Sequence, residues 1–304
     1  MKIFLKILLI ISLISVLTYL YLKGLLVVPD FERPSWFIFS VIILFFGFYL
    51  ESLGWHAIVK SKIKDLSFKD AFISNGKFIF SKYIPGKLWI IAGRAGYLKE
   101  KYKDSFVDMA SFSFYFQLIG IFSGLLVGLG VIYYIDIKWF WIVMLLVVAV
   151  IVIYSFFYKY TLSKTSKILS WIFRREIQLP DFSSGSFLKV MIIYLGVWMT
   201  WSVSFYLFLL SLHHTEMISL KAALIFPVST VLGIIVVIAP GGLGFREGFL
   251  TFGLTAIGMH AKDAASIAIL SRLWFLLGES LFFGIVMVIE LLSSKKGISY
   301  KYKV

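Results

Sequence analysis

The chain has no cysteine, and this absence excludes disulfides, thiolate metal sites and a cysteine nucleophile. It also lacks an H-E-x-x-H motif, a G-x-S-x-G motif, a P-loop and any cluster of aspartates suited to a divalent metal. The four histidines are scattered, and the adjacent pair His213 and His214 is either part of a solvated loop or a weak metal site. We therefore predict that the protein is not an enzyme and holds no cofactor.

Polar sequence is also scarce. Only 15% of the residues are charged, 60% are hydrophobic, and the mean hydropathy is +0.94. The longest polar segment, residues 160–186, is too short for a soluble domain. Several apolar runs exceed the roughly 18 residues that a spanning helix needs. The composition predicts an all-α polytopic membrane protein with a single membrane domain over residues 1–304.

We predict six full transmembrane helices, at 3–23, 36–59, 106–134, 139–159, 187–212 and 263–292. Two further segments, 67–100 and 219–259, each contain a Pro-Gly break, and we interpret them as re-entrant helical hairpins. The third span carries Gly120, Gly124 and Gly128 on one helix face, which favours close helix packing.

The net charge of +14 is concentrated in short loops beside the apolar spans. This pattern is typical of membrane orientation signals and of contact with anionic lipid headgroups, so we predict membrane lipids and not nucleic acid as partners. With both termini in the cytoplasm, the cytoplasmic segments hold 22 Lys and Arg residues and the opposite side holds five. Two full spans at 219–259 would leave the following segments on the same sides of the membrane as a re-entrant hairpin does. The charge count therefore does not distinguish these two arrangements.

The two breaks read SKYIPGKLW at residues 81–89 and APGGLGFRE at residues 239–247. Pro and Gly free backbone N–H and C=O groups, which membrane proteins tolerate only where protein or a wet cavity covers them. Paired breaks in two halves of a chain indicate a transporter-like binding site. The break residues are Pro85, Gly86, Pro240, Gly241, Gly242 and Gly244.

The two halves repeat the order span, broken hairpin, span. The distance from the start of the first span to the break is 49 residues in the first half and 53 in the second. We predict a first repeat at 36–134 and a second at 187–292, inverted relative to each other, as alternating access requires. Chance recurrence in a chain with 23 glycines is the alternative.

Charged side chains inside spans are costly and usually functional. Arg94 and Arg246 each follow a break, and their planar guanidinium groups suit phosphate; pairing of Arg246 with a carboxylate such as Glu279 is the open alternative. Arg272 and Glu279 are too far apart along one helix for a simple bridge, so each needs another partner. The predicted substrate-binding residues are Glu51, Lys82, Lys87, Arg94, Arg246, Glu247, Arg272 and Glu279.

At these motifs the chain resembles the flippase-like family, also called the lysylphosphatidylglycerol synthase transmembrane region. The residues that carry the resemblance are 82–87 with Arg94, and 240–247 with Arg272, and the resemblance covers residues 36–292. It implies a lipid translocase in a bacterial or archaeal cell (inner) membrane. The best-known members continue into a soluble aminoacyl-transferase domain, whereas this chain ends at Val304. We therefore expect a stand-alone member that does not synthesise lysyl-lipid.

Three functions stay open from the sequence. The first is translocation of an anionic or zwitterionic phospholipid, or of a lipid-linked glycan, through a polar cavity walled by the two hairpins. The second is a non-transporting scaffold for a glycosyltransferase or lipid-modifying enzyme. The third is an enzyme acting on a lipid phosphate.

Overall fold

The computed structural model describes residues 33–84, 88–130, 184–212, 216–236 and 242–301, together with the isolated residues 142, 149, 164 and 167. These residues form α-helices and one short 3-10 turn, Ile79–Tyr83, with no strand among them. The helices are α1 (Pro34–Lys60), α2 (Phe68–Lys77), α3 (Trp89–Tyr102), α4 (Phe106–Gly128), α5 (Ser184–Ser211), α6 (Glu216–Ile235), α7 (Phe245–Ala256) and α8 (Ala261–Lys301).

Four of the described helices are long and apolar enough to cross a membrane: Pro34–Lys60, Phe106–Gly128, Phe187–Ser211 and Ala261–Ser293. They match the spans predicted at 36–59, 106–134, 187–212 and 263–292, and they confirm an all-α polytopic membrane protein. The predicted spans at 3–23 and 139–159 lie outside the described residues.

Each pair of spans encloses a broken pair of shorter helices. Helices α2 and α3, separated by the 3-10 turn, lie between α1 and α4. Helices α6 and α7 lie between α5 and α8, and α7 begins directly after Gly244. We name α2 to α3 the first hairpin and α6 to α7 the second hairpin. That each hairpin re-enters the membrane from one side stays a prediction.

Helices α1 and α5 pack antiparallel along most of their length. Ser204 Oγ donates to the Ser40 carbonyl, and Trp201 Nε1 donates to the Leu44 carbonyl at 3.3 Å. A Cβ at Gly47 would clash with the Trp201 indole, so glycine is what allows the two helices to approach here. The antiparallel arrangement agrees with the opposite directions predicted for these spans.

The other two spans add to this pair in a matching way. Helix α4 runs parallel to α5, and Trp198 Nε1 donates to the Gly120 carbonyl at 2.7 Å. Helix α8 runs parallel to α1, and Trp274 Nε1 donates to Ser40 Oγ at 3.0 Å. The glycine face predicted on α4 is used inside the protein, because a Cβ at Gly124 would lie 2.6 Å from both Trp198 and Val231. Each half therefore packs its second span on the first span of the other half.

The segment that carries the first hairpin starts and ends at the same end of the bundle. Lys62, just after α1, forms ion pairs with Asp104 at 3.4 Å and with Asp108 at the start of α4. Partial burial alone lowers the pKa of Lys62, but the two aspartates outweigh it and raise the pKa above its ordinary value. Lys60, Lys64 and Lys103 also lie at this end, which is therefore rich in basic residues.

The cysteine-free chain allows a direct test of this topology. Single cysteines at Ser61 and Glu100 are expected to react with a membrane-impermeant thiol reagent from one side only. Cysteines at Ser35 and Lys262 are expected to react from the opposite side only. All four positions are exposed, so one thiol should perturb the fold little. Labelling of Ser61→Cys and Ser35→Cys from the same side would contradict the direction of α1.

Candidate functional site

A cavity of about 380 Å³ lies between the two hairpins. The first hairpin contributes Lys82, Ile90 and Arg94, and the second contributes Thr230, Ile234 and Arg246. The spans supply mainly aromatic and aliphatic side chains: Phe48, Phe114, Leu118, Ile121, Tyr194, Trp198, Trp201 and Phe275. The predicted polar cavity is thus mainly apolar, with a few charged groups in its wall.

Arg94 on α3 is held at the first hairpin by polar and aromatic contacts. Its side chain is 2% exposed, and Nη2 donates to Asn75 Oδ1 and, at 3.4 Å, to Glu51 Oε1. The guanidinium carbon lies 5.6 Å from the Trp55 ring centre and 5.4 Å from that of Phe116, within cation–π range. Arg94 Nε and Nη1 are buried and have no hydrogen-bond partner among the residues that the structure describes.

Arg246 is the cation that the second hairpin places in the same wall. It is 5% exposed, and its Nε and Nη2 have no hydrogen-bond partner in the described part of the chain. The guanidinium carbon lies 5.1 Å and 5.2 Å from the ring centres of Phe226 and Phe275. Among the described residues, no carboxylate pairs with these two nitrogens. The contacts therefore do not show the alternative in which Arg246 pairs with a carboxylate such as Glu279.

The backbone of the second hairpin explains how Arg246 is placed. Gly242 and Gly244 adopt φ of +72° and +81°, values that glycine tolerates and other residues rarely adopt. A Cβ at Gly242 would lie 2.6 Å from the Gly233 carbonyl oxygen, and a Cβ at Gly233 would lie 2.7 Å from the Arg246 Cβ. Gly233 thus lets the two arms close against each other.

Arg272 and Glu247 form a pair beside the cavity and are not among its lining residues. Arg272 Nη1 donates to Glu247 Oε1 at 2.9 Å, and Gly244 N donates to Glu247 Oε2 at 2.7 Å. The Arg272 guanidinium carbon also lies 5.3 Å from the Tyr83 ring centre, in the turn of the first hairpin. Arg272 therefore contacts Tyr83 of the first hairpin and Glu247 of the second.

Glu279 on α8 is fully buried and is bound by the first hairpin. It accepts from Lys82 Nζ in an ion pair and from Tyr83 Oη at 2.8 Å. Arg272 and Glu279 consequently each find a partner outside their own helix, as their separation along α8 required. Lys82 extends from this pair to the cavity wall, and its side chain is 33% exposed.

The structure brings together most of the residues that the sequence singled out. Glu51, Lys82, Arg94 and Arg246 line the cavity, and Glu247, Arg272 and Glu279 form the ion pairs next to it. Lys87, Pro85, Gly86, Pro240 and Gly241 lie outside the described residues, as do His213 and His214. Sequence reasoning missed Asn75, Tyr83 and Gly233; only Tyr83, inside the first motif, carried a signal that could have found it.

This arrangement is suited to hold an anion beside apolar groups. Buried guanidinium groups with unpaired N–H donors bind phosphate through charge-assisted hydrogen bonds. The mainly aromatic walls suit hydrocarbon. In the part of the chain that the structure describes, no cluster of three or more His, Asp or Glu side chains could hold a metal ion.

The fold and this cavity define a multi-pass helical membrane protein with two broken hairpins around a charged site. The model of the family described as "Lysylphosphatidylglycerol synthase TM region" matches residues 3–278. The chain belongs to this family, which indicates a lipid-related membrane function. In the same comparisons, no curated protein and no solved structure matches the chain.

The two kinds of buried charge should respond differently to neutral substitution. Glu279→Gln leaves Lys82 without its carboxylate, and breaking a buried pair typically costs about 3–5 kcal/mol. Arg246→Met removes a buried charge with unpaired donors and keeps a similar volume, so stability should be unchanged or higher. Thermal unfolding of the purified protein in detergent measures both. A larger loss for Arg246→Met than for Glu279→Gln would contradict the pairing described here.

Proposed function

We propose that the protein moves a phosphate-bearing lipid between the two leaflets of a bacterial or archaeal cell membrane. The headgroup passes through the cavity between the hairpins while the acyl chains stay in the bilayer. Passage through such a cavity avoids most of the cost of taking a charged headgroup through hydrocarbon. The lipid is an anionic or zwitterionic phospholipid or a lipid-linked glycan, and the chemistry needs no catalytic residue.

One observation carries this proposal. Two buried arginines, one from each hairpin, lie in the wall of one mainly apolar cavity, and two nitrogens of each have no hydrogen-bond partner among the described residues. A protein that only scaffolds an enzyme has no need of such a cavity, because its charges would serve at a surface. The volume of about 380 Å³ falls within the range of small-molecule sites.

The proposed mechanism is alternating access by two inverted repeats. The antiparallel α1 and α5 and the matching packing of α4 and α8 are consistent with this relation. The basic end of the bundle, near Lys62, faces the cytoplasm under the positive-inside rule. The hairpins are re-entrant and are the elements whose movement opens the cavity to one leaflet or the other.

Lipid movement in reconstituted vesicles tests the proposal. In vesicles that contain fluorescent phosphatidylglycerol, the protein should move labelled lipid from the inner leaflet to the outer leaflet. A membrane-impermeant quencher added outside should then reduce the fluorescence of this lipid. A hydrogen bond to a charged group contributes about 1.5–3 kcal/mol, so Arg94→Ala and Arg246→Ala should each slow this movement about tenfold or more. Arg246→Lys keeps the charge but loses the planar fork, and it should be intermediate.

Lys262→Ala is the matched control, because Lys262 is an exposed cation outside the cavity. It should move lipid as the unmodified protein does. Lipid movement that survives the combined Arg94→Ala and Arg246→Ala substitutions would refute transport through this cavity and would favour a scaffold.

A further inference from the structure

A carboxylate that lines the cavity, Glu51, would compete with a bound anion for Arg94. Among the described residues that line it, Glu51 is the single carboxylate. Its side chain is 14% exposed, and Oε1 lies 3.4 Å from Arg94 Nη2. An anionic headgroup that binds Arg94 therefore meets a second negative charge already in place.

Arg94 does not depend on Glu51 to keep its position. Asn75 accepts from Arg94 Nη2 and is itself fixed, because its Nδ2 donates to Ser52 Oγ at 3.0 Å. The Trp55 and Phe116 rings flank the guanidinium group. The long contact to Glu51 is thus the replaceable one, and an anion can take it over without releasing Arg94.

Among the described lining residues, the other two cations interact with charges other than the pair of Arg94 and Glu51. Lys82 is engaged by Glu279, and the charged side chains that act on Arg246 are Arg272, Glu247 and Glu279. With Glu51 ionised, the group of Arg94, Glu51 and a phosphodiester would carry one net negative charge in a mainly apolar cavity. Like charges that share a site disfavour the ionised form of one of them.

We infer that Glu51 takes up one proton from water when a lipid phosphodiester binds Arg94, so that the anion enters the cavity together with a proton. The proton adds to a Glu51 carboxylate oxygen, Arg94 keeps its charge, and the phosphodiester stays monoanionic. The protonated carboxyl group then becomes an O–H donor to the phosphate. This inference rests on the proposed function and names the coupling ion of the same site.

Other ionisable side chains share the cavity with Glu51 and were considered with it. Arg94 faces it from α3 and Tyr194 from α5, while α4 contributes the uncharged Gln117. Among the described residues, the charged or titratable side chains that line the cavity are Glu51, Lys82, Tyr83, Arg94, Tyr194 and Arg246. Of these, Glu51 is the acidic side chain that contacts Arg94, and it therefore lies beside an anion bound there.

Binding measured against pH tests the inference. The probe is dioctanoyl phosphatidylglycerol added to the detergent-solubilised protein between about pH 6 and pH 9, where its charge is constant. Because binding takes up a proton, affinity should fall about tenfold per pH unit wherever Glu51 is ionised in the empty site. The deacylated headgroup, glycerophosphoglycerol, distinguishes a lipid ligand from a soluble phosphodiester. Equal affinity for this compound and for phosphatidylglycerol would overturn the assignment to a lipid.

Two variants locate the proton. Glu51→Gln should abolish the pH dependence and bind at high pH at least as tightly as the unmodified protein binds at low pH. Glu290→Gln is the matched control, since Glu290 pairs with Lys77 at 2.5 Å outside the cavity, and it should retain the full dependence. A flat profile in the unmodified protein, a retained slope in Glu51→Gln, or no binding of phosphatidylglycerol would each overturn the inference.

A direct measurement does not need the Glu51 variant to fold. In weakly buffered solution with a pH-sensitive dye, the unmodified protein should take up about one proton per bound lipid, and no uptake would overturn the inference. If lipid movement does not depend on pH, the proton coupling is wrong, but the proposed translocase function still holds. Proton-linked binding without lipid movement would remove the translocase function and leave the coupled site.

Discussion

The full burial of Glu279 is the constraint on which the site depends. A carboxylate with no exposed surface is stable only when it is paired and hydrogen-bonded, and here the first hairpin supplies Lys82 and Tyr83. Two helical turns away, Arg272 binds Glu247 of the second hairpin and contacts the Tyr83 ring. Helix α8 therefore binds both hairpins at once, and these ion pairs hold the two hairpins beside the cavity.

The two halves differ at the charged site more than in the packing of their spans. Trp198 of α5 binds the α4 backbone and Trp274 of α8 binds Ser40 of α1, so each span of the first half is held by a tryptophan of the second half. The two arginines differ, since Arg94 has Asn75 and Glu51 as partners while two nitrogens of Arg246 have none among the described residues. One cavity therefore offers an anion two arginines in unequal surroundings.

The spans and the hairpin breaks could be predicted from the sequence, because both depend on residues that are close together in the chain. Hydropathy over one helix length defined the four described spans, and the breaks identified where the hairpins reverse. The spacing of Arg272 and Glu279 already excluded a bridge between them. The sequence could not say that Glu279 pairs with Lys82 or that Asn75 anchors Arg94, because these contacts join residues far apart in the chain and depend on which helices become neighbours. Gly233 was missed because a glycine in an apolar helix gives no signal until the opposing arm is known.

The guanidinium nitrogens that lack a partner among the described residues favour a binding site over a packing defect. A buried donor without an acceptor costs about 1–3 kcal/mol, more when it is charged. In the described part of the chain, four such nitrogens belong to Arg94 and Arg246, which line the cavity. A fold that holds these two arginines in the cavity wall has already borne part of the cost of arranging them for an anion. The same groups make hydrocarbon alone a poor occupant, and this supports the proposal that the cavity binds the headgroup of a lipid and not its tail.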